Sequence, residues 1–440
     1  MRICILAGGY NPQLFFFIDM KKFLSIVLLL SITPLFALAQ TAKEEIFDTI
    51  EKAGGVYYAY PITESINTAP PKGYEPFYIS HYGRHGSRYL IGDNDYKWVL
   101  DLMEDANQAG ALTTLGEDVL MRLREVWIEA EGRGGDLSPL GVRQQKGIAK
   151  RMFKAFPEVF AGNPVMSARS TIVMRCAMSM DAFCESLKEE KPSLDITREA
   201  SNRHMHYLNY HSEESNKFTA QDGPWSEEYR KFEEAHTRPD RLVASIFSDK
   251  EYILRNVNPD KVMWGLYWIA VDMQNMETKV SFMDLFEKQE MFDLWQIFNY
   301  RFYVCDSNYP LSNGMLIDNA KPLLRNVLTT AEDIISSGQN GATLRFGHDG
   351  NLIPFTGILR LKECYNQESD PYNFYKAFST FSIAPMAGNV QIVFFRNKKG
   401  DILVKFLHNE RETSIPIDTD CYPFYHWNDV KAFWNSILAE

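Results

Sequence analysis

The sequence predicts an α/β fold: a three-layer core with a central mixed, mostly parallel sheet flanked by helices, plus an inserted, mainly helical cap domain. Short β-branched and aromatic runs at 77–82, 164–168 and 342–346 have the length and composition of buried strands. A hairpin pattern follows near the C-terminus and adds antiparallel pairing. From about 200 to 320, aromatic residues and methionines recur at helical spacing, which indicates helical core.

Each element has a local justification along the chain. The run 77–82 ends in a glycine-flanked loop, as a strand that delivers residues to a site would. Ser138 and Pro139 are a preferred cap and first residue, so a helix is predicted from there to Phe153. The strand 164–168 comes next. Apolar residues three or four apart then predict a helix over 171–188.

The C-terminal third completes the predicted sheet. The run 342–346 ends in Gly347, and a hairpin is predicted at 390–396 and 401–407, turned by residues 397–400. These elements divide the chain into an α/β core at 40–190 and 321–440 and a helical cap at 191–320.

Composition excludes several classes of protein. Of the 440 residues, 45% are hydrophobic and 23% are charged, which is ordinary for a globular chain and unlike a disordered, collagen-like or multi-span membrane protein. The net charge of −11 argues against a general nucleic-acid binder, which needs a basic face. It does not exclude an anionic substrate, because net charge describes the whole surface and not one cleft.

The N-terminus has the pattern of a targeting segment. Two lysines follow Met20, and an apolar run then ends in the small-residue pattern Ala-Leu-Ala at 37–39. This predicts a secretory signal peptide at 20–39 within a non-mature leader, 1–39. A membrane anchor is the alternative, but the run is shorter than the ~20 apolar residues of a span. We therefore expect an exported, periplasmic or secreted protein without stable membrane association after cleavage.

Cysteine spacing gives no disulfide framework or zinc motif. Five cysteines follow the leader: Cys176, Cys184, Cys305, Cys364 and Cys421. An odd number leaves at least one thiol free. Cys176 and Cys184 fall on one predicted helix about 12 Å apart, too far for a disulfide. No Cys-x-x-Cys pair occurs, and other pairings stay open.

The segment Arg84-His85-Gly86-Ser87-Arg88 is the most informative in the chain. Arginine forks match phosphate oxygens and keep their charge, and a neutral histidine between them can act as a nucleophile. The loop follows a predicted strand, where α/β sheets bind ligands. The alternative is a surface turn whose arginines pair with acids.

Two more strand ends carry related chemistry. The strand 164–168 leads through Arg169 to Arg175 at a predicted helix start, where backbone N–H groups favour anions. The strand 342–346 leads to His348 and Asp349, an imidazole that can hold a transferring group and a carboxyl that can protonate a leaving oxygen. Asp349 could alternatively be a helix N-cap. Together the three strand ends predict one phosphate-handling cleft.

Other chemical motifs are weak or missing. His204, His206 and His211 lie close together, but no acid or cysteine completes a known metal-ligand spacing, so no metal site is predicted. The sequence contains no Gly-x-Ser-x-Gly, no phosphate-binding Gly-Lys-Ser/Thr loop and no His-Glu-x-x-His. A serine hydrolase, a nucleoside-triphosphatase and a zinc protease therefore lack support.

These motifs resemble those of a known family. Residues 84–88 resemble the Arg-His-Gly-x-Arg signature of histidine acid phosphatases, branch 2 of the histidine phosphatase superfamily, and His348-Asp349 is similar to its second signature. Residues 137–141 are similar to the Leu-Thr-x-x-Gly segment, and Arg175 stands where the family places a third arginine. The resemblance covers about 75–361 in matching order and extends to the multiple inositol polyphosphate phosphatases and phytases.

The resemblance implies a division of labour among these residues. His85 would attack phosphorus and form a phosphohistidine, and Asp349 would protonate the leaving alcohol and then help to activate water. Substrate oxygens would be bound by Arg84, Arg88, Arg175 and His348. No cofactor or metal is implied, since the arginines supply the positive charge, and the partner would be a small phosphate ester.

The resemblance leaves the substrate and reaction class open. Leu90 replaces a proline found in many members, and His348-Asp349 is the common acid-phosphatase and phytase form, whereas inositol-polyphosphate phosphatases often carry His-Ala-Glu. A phytase-like enzyme, a general acid phosphatase and a sugar-phosphate phosphatase are all compatible. Transfer to another alcohol and a non-catalytic phospholigand-binding protein are further alternatives. The oligomeric state is not predicted.

Overall fold

An eight-stranded mixed sheet organises residues 41–62 and 67–439, the part of the chain that this computed structural model describes. The leader 1–39 and its predicted signal peptide lie outside these residues. The strands are β1 (Glu75–Arg84), β2 (Val165–Ser170), β3 (Ile196–Ala200), β4 (Gly341–Gly347), β5 (Asn389–Arg396), β6 (Ile402–His408), β7 (Arg411–Thr413) and β8 (Phe424–His426).

The sheet has a parallel and an antiparallel half. Its order is β3-β2-β4-β1-β5-β6-β7, and β8 also pairs with β6. The neighbours from β3 to β1 are parallel, whereas the pairs from β1 to β5 onward are antiparallel. This confirms the predicted mixed sheet, and the predicted site lies in its parallel half.

Helices cover both faces of the sheet. The α-helices are α1 (Ala42–Asp48), α2 (Asn94–Gln108), α3 (Thr114–Ala130), α4 (Pro139–Ala155), α5 (Met174–Glu190), α6 (Met205–Leu208), α7 (Glu213–Phe218), α8 (Ser226–His236), α9 (Asp240–Ile246), α10 (Lys250–Asn256), α11 (Pro259–Asp272), α12 (Lys288–Asp306), α13 (Met315–Asp318), α14 (Lys321–Ser337), α15 (Asp349–Ile358), α16 (Phe374–Ala377), α17 (Thr380–Ile383) and α18 (Trp427–Ala439). Short 3-10 helices span Ile50–Tyr57, Pro157–Phe160, Asn202–His204, Met273–Asn275, Met283–Leu285, Pro310–Ser312 and Pro371–Asn373.

Alternation along the strands produces the three layers. Successive strand side chains point to opposite faces, so Tyr78 and Ile79 of β1 enter different hydrophobic clusters. The Ile79 cluster contains residues of α4 and α5, and the Tyr78 cluster contains residues of α14, α15 and α18. The three-layer core predicted from the sequence is confirmed.

Two local predictions differ from the structure. Helix α5 begins at Met174 and not at 171, because Thr171 still donates its N–H to Phe346 O of β4 (3.1 Å). Strand β3 was missed, and it lies inside the range 191–320 that the sequence assigns to the helical cap. Its sequence, Ile-Thr-Arg-Glu-Ala, is mostly polar because only Ile196 is buried at this edge of the sheet.

The helices outside the sheet layers come from more than one segment. Their hydrophobic cluster combines residues of 42–57, 89–130 and 242–295. The long connection between β1 and α4 therefore contributes α2 and α3 to the same cluster as α9 and α11. This hydrophobic cluster therefore includes residues from outside the range 191–320.

The structure also bears on the cysteines and on membrane-spanning helices. Cys176, Cys184, Cys305, Cys364 and Cys421 are all free thiols in the described part of the chain. None of the helices described is both long and apolar enough to cross a bilayer.

Candidate active site

Three parallel strands bring the predicted site residues to one edge of the sheet. The register of β1 with β4 ends at the pair Arg84 and Gly347, and β2 reaches the same level, since Ser170 pairs with Phe346. The segments after β1, β4 and β2 therefore leave side by side, as at the ligand-binding edge of α/β sheets.

His85 lies at the centre of this edge. Its side chain is buried, and its backbone N–H donates to Gly347 O (3.0 Å). The ring Nδ1 lies 2.9 Å from Gly86 O, and because a carbonyl only accepts, Nδ1 carries the proton and Nε2 keeps its lone pair. Burial, and then the charges of nearby arginines, hold the pKa of His85 well below its ordinary value, so the imidazole is neutral.

Arg84 is fixed by backbone carbonyls beneath the loop. Its guanidinium is fully buried, and Nη1 donates to Ala384 O (2.9 Å) and to Val56 O. Nη2 lies 2.8 Å from the Asp349 carboxylate. Arg84 is therefore positioned without help from an exposed side chain.

Arg88 rests on an aromatic ring. Its guanidinium lies 4.7 Å from the centroid of Tyr57, and Nη2 donates to Tyr57 Oη (3.2 Å). Nη1 donates to Tyr89 O (2.8 Å). Cation–π contact and hydrogen bonds together set the direction of the side chain.

Arg175 is the second residue of α5 and follows the end of β2 at Ser170 after a short connection. Burial, and then the positive charge of Arg88, lower the pKa of Arg175. The Nε–H groups of Arg84, Arg88 and Arg175 are all buried without a protein acceptor. An anion bound here would supply acceptors for such donors.

His348 and Asp349 begin α15, with His348 as the N-cap residue and Asp349 as the first helical residue. His348 Nε2 lies 3.2 Å from Thr171 Oγ1, and its ring centroid is 5.7 Å from that of His85. Burial, opposed in part by Asp349, lowers the pKa of His348 to about 4. Asp349 Oδ1 accepts the N–H of Gly350 (2.9 Å).

The charge state of Asp349 follows from its neighbours. Burial raises its pKa, but neighbouring positive charges, that of Arg84 above all, outweigh burial and hold the pKa below its ordinary value. Asp349 is therefore a carboxylate at neutral pH in the free protein.

Hydrogen bonds from the flanking helices hold the loop, and the sequence did not single these residues out. Gln144 accepts the Ser87 N–H and donates to Ser87 Oγ, both at 2.8 Å. Gln145 donates to Arg84 O (2.8 Å), and Ser179 Oγ accepts the Gly86 N–H (3.1 Å). The available signal was a pair of adjacent glutamines in the helix capped by Ser138.

A glycine contact explains how closely α4 approaches the loop. A Cβ on Gly86 would lie 2.4 Å from Gly141 O, which is closer than van der Waals contact allows, and the clash would be with backbone. Both positions therefore need glycine for close packing.

A second carboxyl near Asp349 was also missed. Asp306, the last residue of α12, has its Oδ1 3.5 Å from the position that a Cβ on Gly350 would take. Burial and the charge of Asp349 raise the pKa of Asp306 to about 7. Sequence gave no signal for it, because Asp306 is far from the motifs along the chain.

The histidine cluster considered for metal does not form a ligand group among the described residues. His204 Nε2 contacts Glu199 (2.8 Å), and His206 Nδ1 contacts Arg203 O (2.9 Å). The group of metal-ligating type found in the described ranges is instead Asp420, Cys421 and His426, at and just before β8.

The assembled site combines a neutral imidazole, three guanidinium groups, a second imidazole and a carboxylate. A tetrahedral oxyanion can receive hydrogen bonds from the cations while the imidazole approaches its central atom. The carboxylate can exchange a proton at an oxygen on the opposite side. This arrangement suits phosphoryl transfer.

Comparison with known proteins agrees with this chemistry. A family model for the histidine phosphatase superfamily (branch 2) matches residues 83–409. No curated protein sequence gives a significant match.

Solved structures share the fold at low sequence identity. A multiple inositol polyphosphate phosphatase from Bifidobacterium longum, in complex with phosphate, is similar with a TM-score of 0.75 and 18% identity, covering 87% of this chain and 97% of that one. A phytase from D. castellii is similar with a TM-score of 0.66 and 15% identity, covering 89% and 85%. A phytase from Hafnia alvei is similar with a TM-score of 0.51 and 12% identity, covering 84% and 98%.

Proposed function

Because this chain belongs to branch 2 of the histidine phosphatase superfamily and is a phosphatase, we propose that it hydrolyses phosphate monoesters through a phosphohistidine on His85. The observation that carries the proposal is the state of His85. Its Nδ1 is tied to Gly86 O, its imidazole is neutral, and arginines surround it. Those are the requirements for a histidine nucleophile that attacks an anion.

In the first step, Nε2 of His85 attacks phosphorus and forms a P–N bond. The ester P–O bond breaks in line with the attack, and the leaving oxygen takes the proton of Asp349. The phosphoryl oxygens are bound by Arg84, Arg88, Arg175 and His348, whose donors stabilise the charge that develops there.

In the second step, water attacks the phosphohistidine and the P–N bond breaks. The Asp349 carboxylate accepts the proton of the attacking water, and inorganic phosphate leaves. His85 returns to the neutral form in which Nε2 carries its lone pair. Asp349 thus donates a proton in one step and recovers one in the next.

Protonation of Asp349 before the first step is the requirement that links activity to pH. The free protein holds Asp349 as a carboxylate beside Arg84. A phosphate group that draws on the charge of Arg84 weakens this ion pair and adds negative charge, and both effects raise the pKa of Asp349. Acidic solution favours the protonated form further.

Inositol polyphosphates such as phytate are candidate substrates. The relatives with the same fold are a multiple inositol polyphosphate phosphatase and phytases. A general acid phosphatase and a sugar-phosphate phosphatase are the alternatives to be separated by assay.

We also propose that the protein acts outside the cytoplasm. The support is the leader pattern of two lysines, an apolar run and a small-residue exit at 37–39. Mass spectrometry of the chain recovered from culture medium and periplasm would locate it, and an N-terminus at Gln40 is expected. An intact 1–39 segment in the recovered chain would contradict cleavage.

The direct test is phosphate release by the wild type and by His85→Ala. Phytate, sugar phosphates and aryl phosphates form the substrate panel. The matched control is His426→Ala, because His426 is an exposed residue of β8 whose side chain pairs with Asp420 (3.0 Å) and not with a residue of the proposed site. We expect loss of turnover in His85→Ala alone. An acid-labile, base-stable phosphoenzyme should form in the wild type and be missing in His85→Ala, and full activity of that variant would refute the mechanism.

A further inference from the structure

Asp272 is a buried carboxyl group to which the proposed reaction gives no task. It is the last residue of α11, and its side chain is fully buried. Its Oδ2 accepts the hydroxyl proton of Tyr96 (2.5 Å), and its Oδ1 accepts a hydrogen bond from Asn275 Nδ2 (3.3 Å). Both partners are uncharged, so neither of them neutralises the carboxyl, and burying it in this way reduces the stability of the fold. The next hydrogen bonds of Tyr96 and Asn275 both lead to the loop after β1.

The path through Tyr96 reaches the backbone two residues after Arg88. Tyr96 lies in α2, and its hydroxyl oxygen accepts the N–H of Leu90 (2.8 Å). A carboxylate only accepts hydrogen bonds, so it takes the hydroxyl proton and leaves the lone pairs of the oxygen turned to Leu90. Asp272 therefore orients the group that holds the chain after Arg88.

The path through Asn275 reaches the residue before Arg88 and the residue beneath it. The Asn275 side chain is fully buried, its Oδ1 accepts the Ser87 hydroxyl (2.7 Å), and its Nδ2 donates to Tyr57 O (2.9 Å). Carbonyl and carboxylate oxygens only accept, so Tyr57 O and Asp272 together fix which side of the amide carries the N–H groups. The amide oxygen is thereby turned to Ser87.

The two paths meet around Arg88. Ser87 precedes it in the chain, and Leu90 follows it. The Tyr57 ring lies 4.7 Å from the Arg88 guanidinium, and its hydroxyl accepts from Nη2 (3.2 Å). Each of these three neighbours is held by a side chain whose orientation Asp272 sets. A buried network in which every member is hydrogen-bonded holds its members in one arrangement.

We propose that Asp272 is a positioning residue, which acts through Tyr96 and Asn275 to hold Arg88 in the orientation that binds phosphate oxygens. The inference rests on the proposed function, because that function gives Arg88 the task of binding phosphate. Asp272 acts on the substrate through Arg88. A substitution at Asp272 or Tyr96 should therefore weaken phosphate binding beyond what the loss of stability alone would cause.

The test compares two variants that break the network. Asp272→Ala removes the acceptor of both Tyr96 and Asn275, whereas Tyr96→Phe keeps the ring and removes only the hydroxyl that joins Asp272 to Leu90. Calorimetry with inorganic phosphate gives a Kd for each protein, and urea titration gives its free energy of unfolding. Burial raises the pKa of Asp272 to about 7, so binding is measured at pH 8, where the carboxylate form prevails.

Two control variants lose similar hydrogen bonds elsewhere. Asp293→Ala removes a buried carboxyl in α12 that accepts from Gln289 (2.8 Å) and Gln296 (3.0 Å). Tyr303→Phe removes a hydroxyl that accepts the Glu368 N–H (2.7 Å) and donates to Glu368 O (3.1 Å). These controls report how far a loss of buried hydrogen bonds by itself changes phosphate binding.

We expect the phosphate Kd to rise about 3- to 30-fold in Asp272→Ala and about 2- to 10-fold in Tyr96→Phe, the range for weakened hydrogen bonds to a charged group. In both controls the Kd should stay close to the wild-type value, although their stability also falls. If Asp272→Ala does not fold, Tyr96→Phe decides the question.

An unchanged Kd in either folded variant, or an equal rise in the controls, would overturn the positioning role. A wild type that does not bind phosphate would overturn the task proposed for Arg88, and the inference with it. A wild type that binds phosphate but hydrolyses no ester would overturn only the proposed reaction, and the comparison of Kd values would still test the role of Asp272.

Discussion

Arg84 Nη2 and Asp349 Oδ2 are 2.8 Å apart, so a fully buried arginine forms an ion pair with the carboxylate at the start of α15. The carbonyl oxygens of Val56 and Ala384 accept hydrogen bonds from Arg84 and hold its guanidinium in place beside Asp349. The arginine that we propose for phosphate binding therefore also sets the charge of the proposed proton donor. This coupling leads to the first two predictions.

Asp349→Asn should slow esters in proportion to how much their leaving group needs a proton. For glycerol 2-phosphate we expect kcat/KM to fall by about 10²- to 10⁴-fold, the usual contribution of a general acid. For p-nitrophenyl phosphate, whose leaving group is stable as an anion, we expect a much smaller loss. Steady-state kinetics of both esters checks this, with exposed Asp420→Asn as the control. Equal losses would remove Asp349 as the acid.

The pH dependence should follow protonation of Asp349. Its pKa is depressed in the free protein, so the protonated fraction grows as the pH falls from neutral into the acid range. We expect kcat/KM for glycerol 2-phosphate to rise over that range in the wild type and to lose most of this rise in Asp349→Asn. A maximum above neutral pH would contradict the assignment.

Gln144→Leu should weaken both the catalytic loop and the fold. The substitution leaves the Ser87 N–H without its acceptor and Ser87 Oγ without the Gln144 donor, in a buried place. We expect a loss of about 1–3 kcal/mol in the free energy of unfolding for the unpaired groups, measured with urea. Activity should fall for alkyl and aryl esters alike, since the arginines are displaced for every substrate. A loss confined to one class of ester would indicate a substrate contact instead.

His81→Phe should make the fold more tolerant of acid. His81 is buried between Phe183 (5.0 Å) and Phe346 (5.3 Å), and neither ring nitrogen has a hydrogen-bond partner. Burial, and then the charge of Arg345, lowers its pKa from 6.5 to about 3. Because the unfolded chain binds this proton more strongly, His81 reduces stability as the pH falls from 6.5 towards 3.

At pH 5 the stronger proton binding of His81 in the unfolded chain lowers the free energy of unfolding by about 2 kcal/mol. Urea titrations measure the free energy of unfolding of His81→Phe and of the wild type at pH 5 and at pH 8. The difference between variant and wild type should favour the variant more at pH 5 than at pH 8. The exposed His426→Ala is the control. The same gain at both pH values would show that packing, and not the proton, is responsible.

The chemistry-bearing residues could be predicted from sequence because they are close to strand ends along the chain. Arg84, His85 and Arg88 are held together by covalent continuity, and parallel strands bring their carboxyl ends to one edge whatever lies between them. Arg175, His348 and Asp349 followed from the same rule. The mixed sheet and its hairpin followed from short apolar runs and turn residues, which are local.

The supporting residues depended on tertiary structure. Gln144 reads as an ordinary helical residue until α4 packs against the loop at Gly86 and Gly141. Strand β3 carries little apolar alternation, because an edge strand is half exposed, so its local pattern is weak. Contacts of this kind join residues that are distant in sequence, and no local periodicity encodes them.

The sequence by itself determined which chemical groups stand at the proposed phosphate site, since the motif residues fix charge and nucleophile type before any folding is considered. Only the tertiary structure decided what borders that phosphate site. The ion pair of Arg84 with Asp349 joins the end of β1 to the start of α15, and the end of α12 brings Asp306 close to Gly350. Proton affinity and leaving-group contacts depend on distances through space, and those distances exist only in the folded chain.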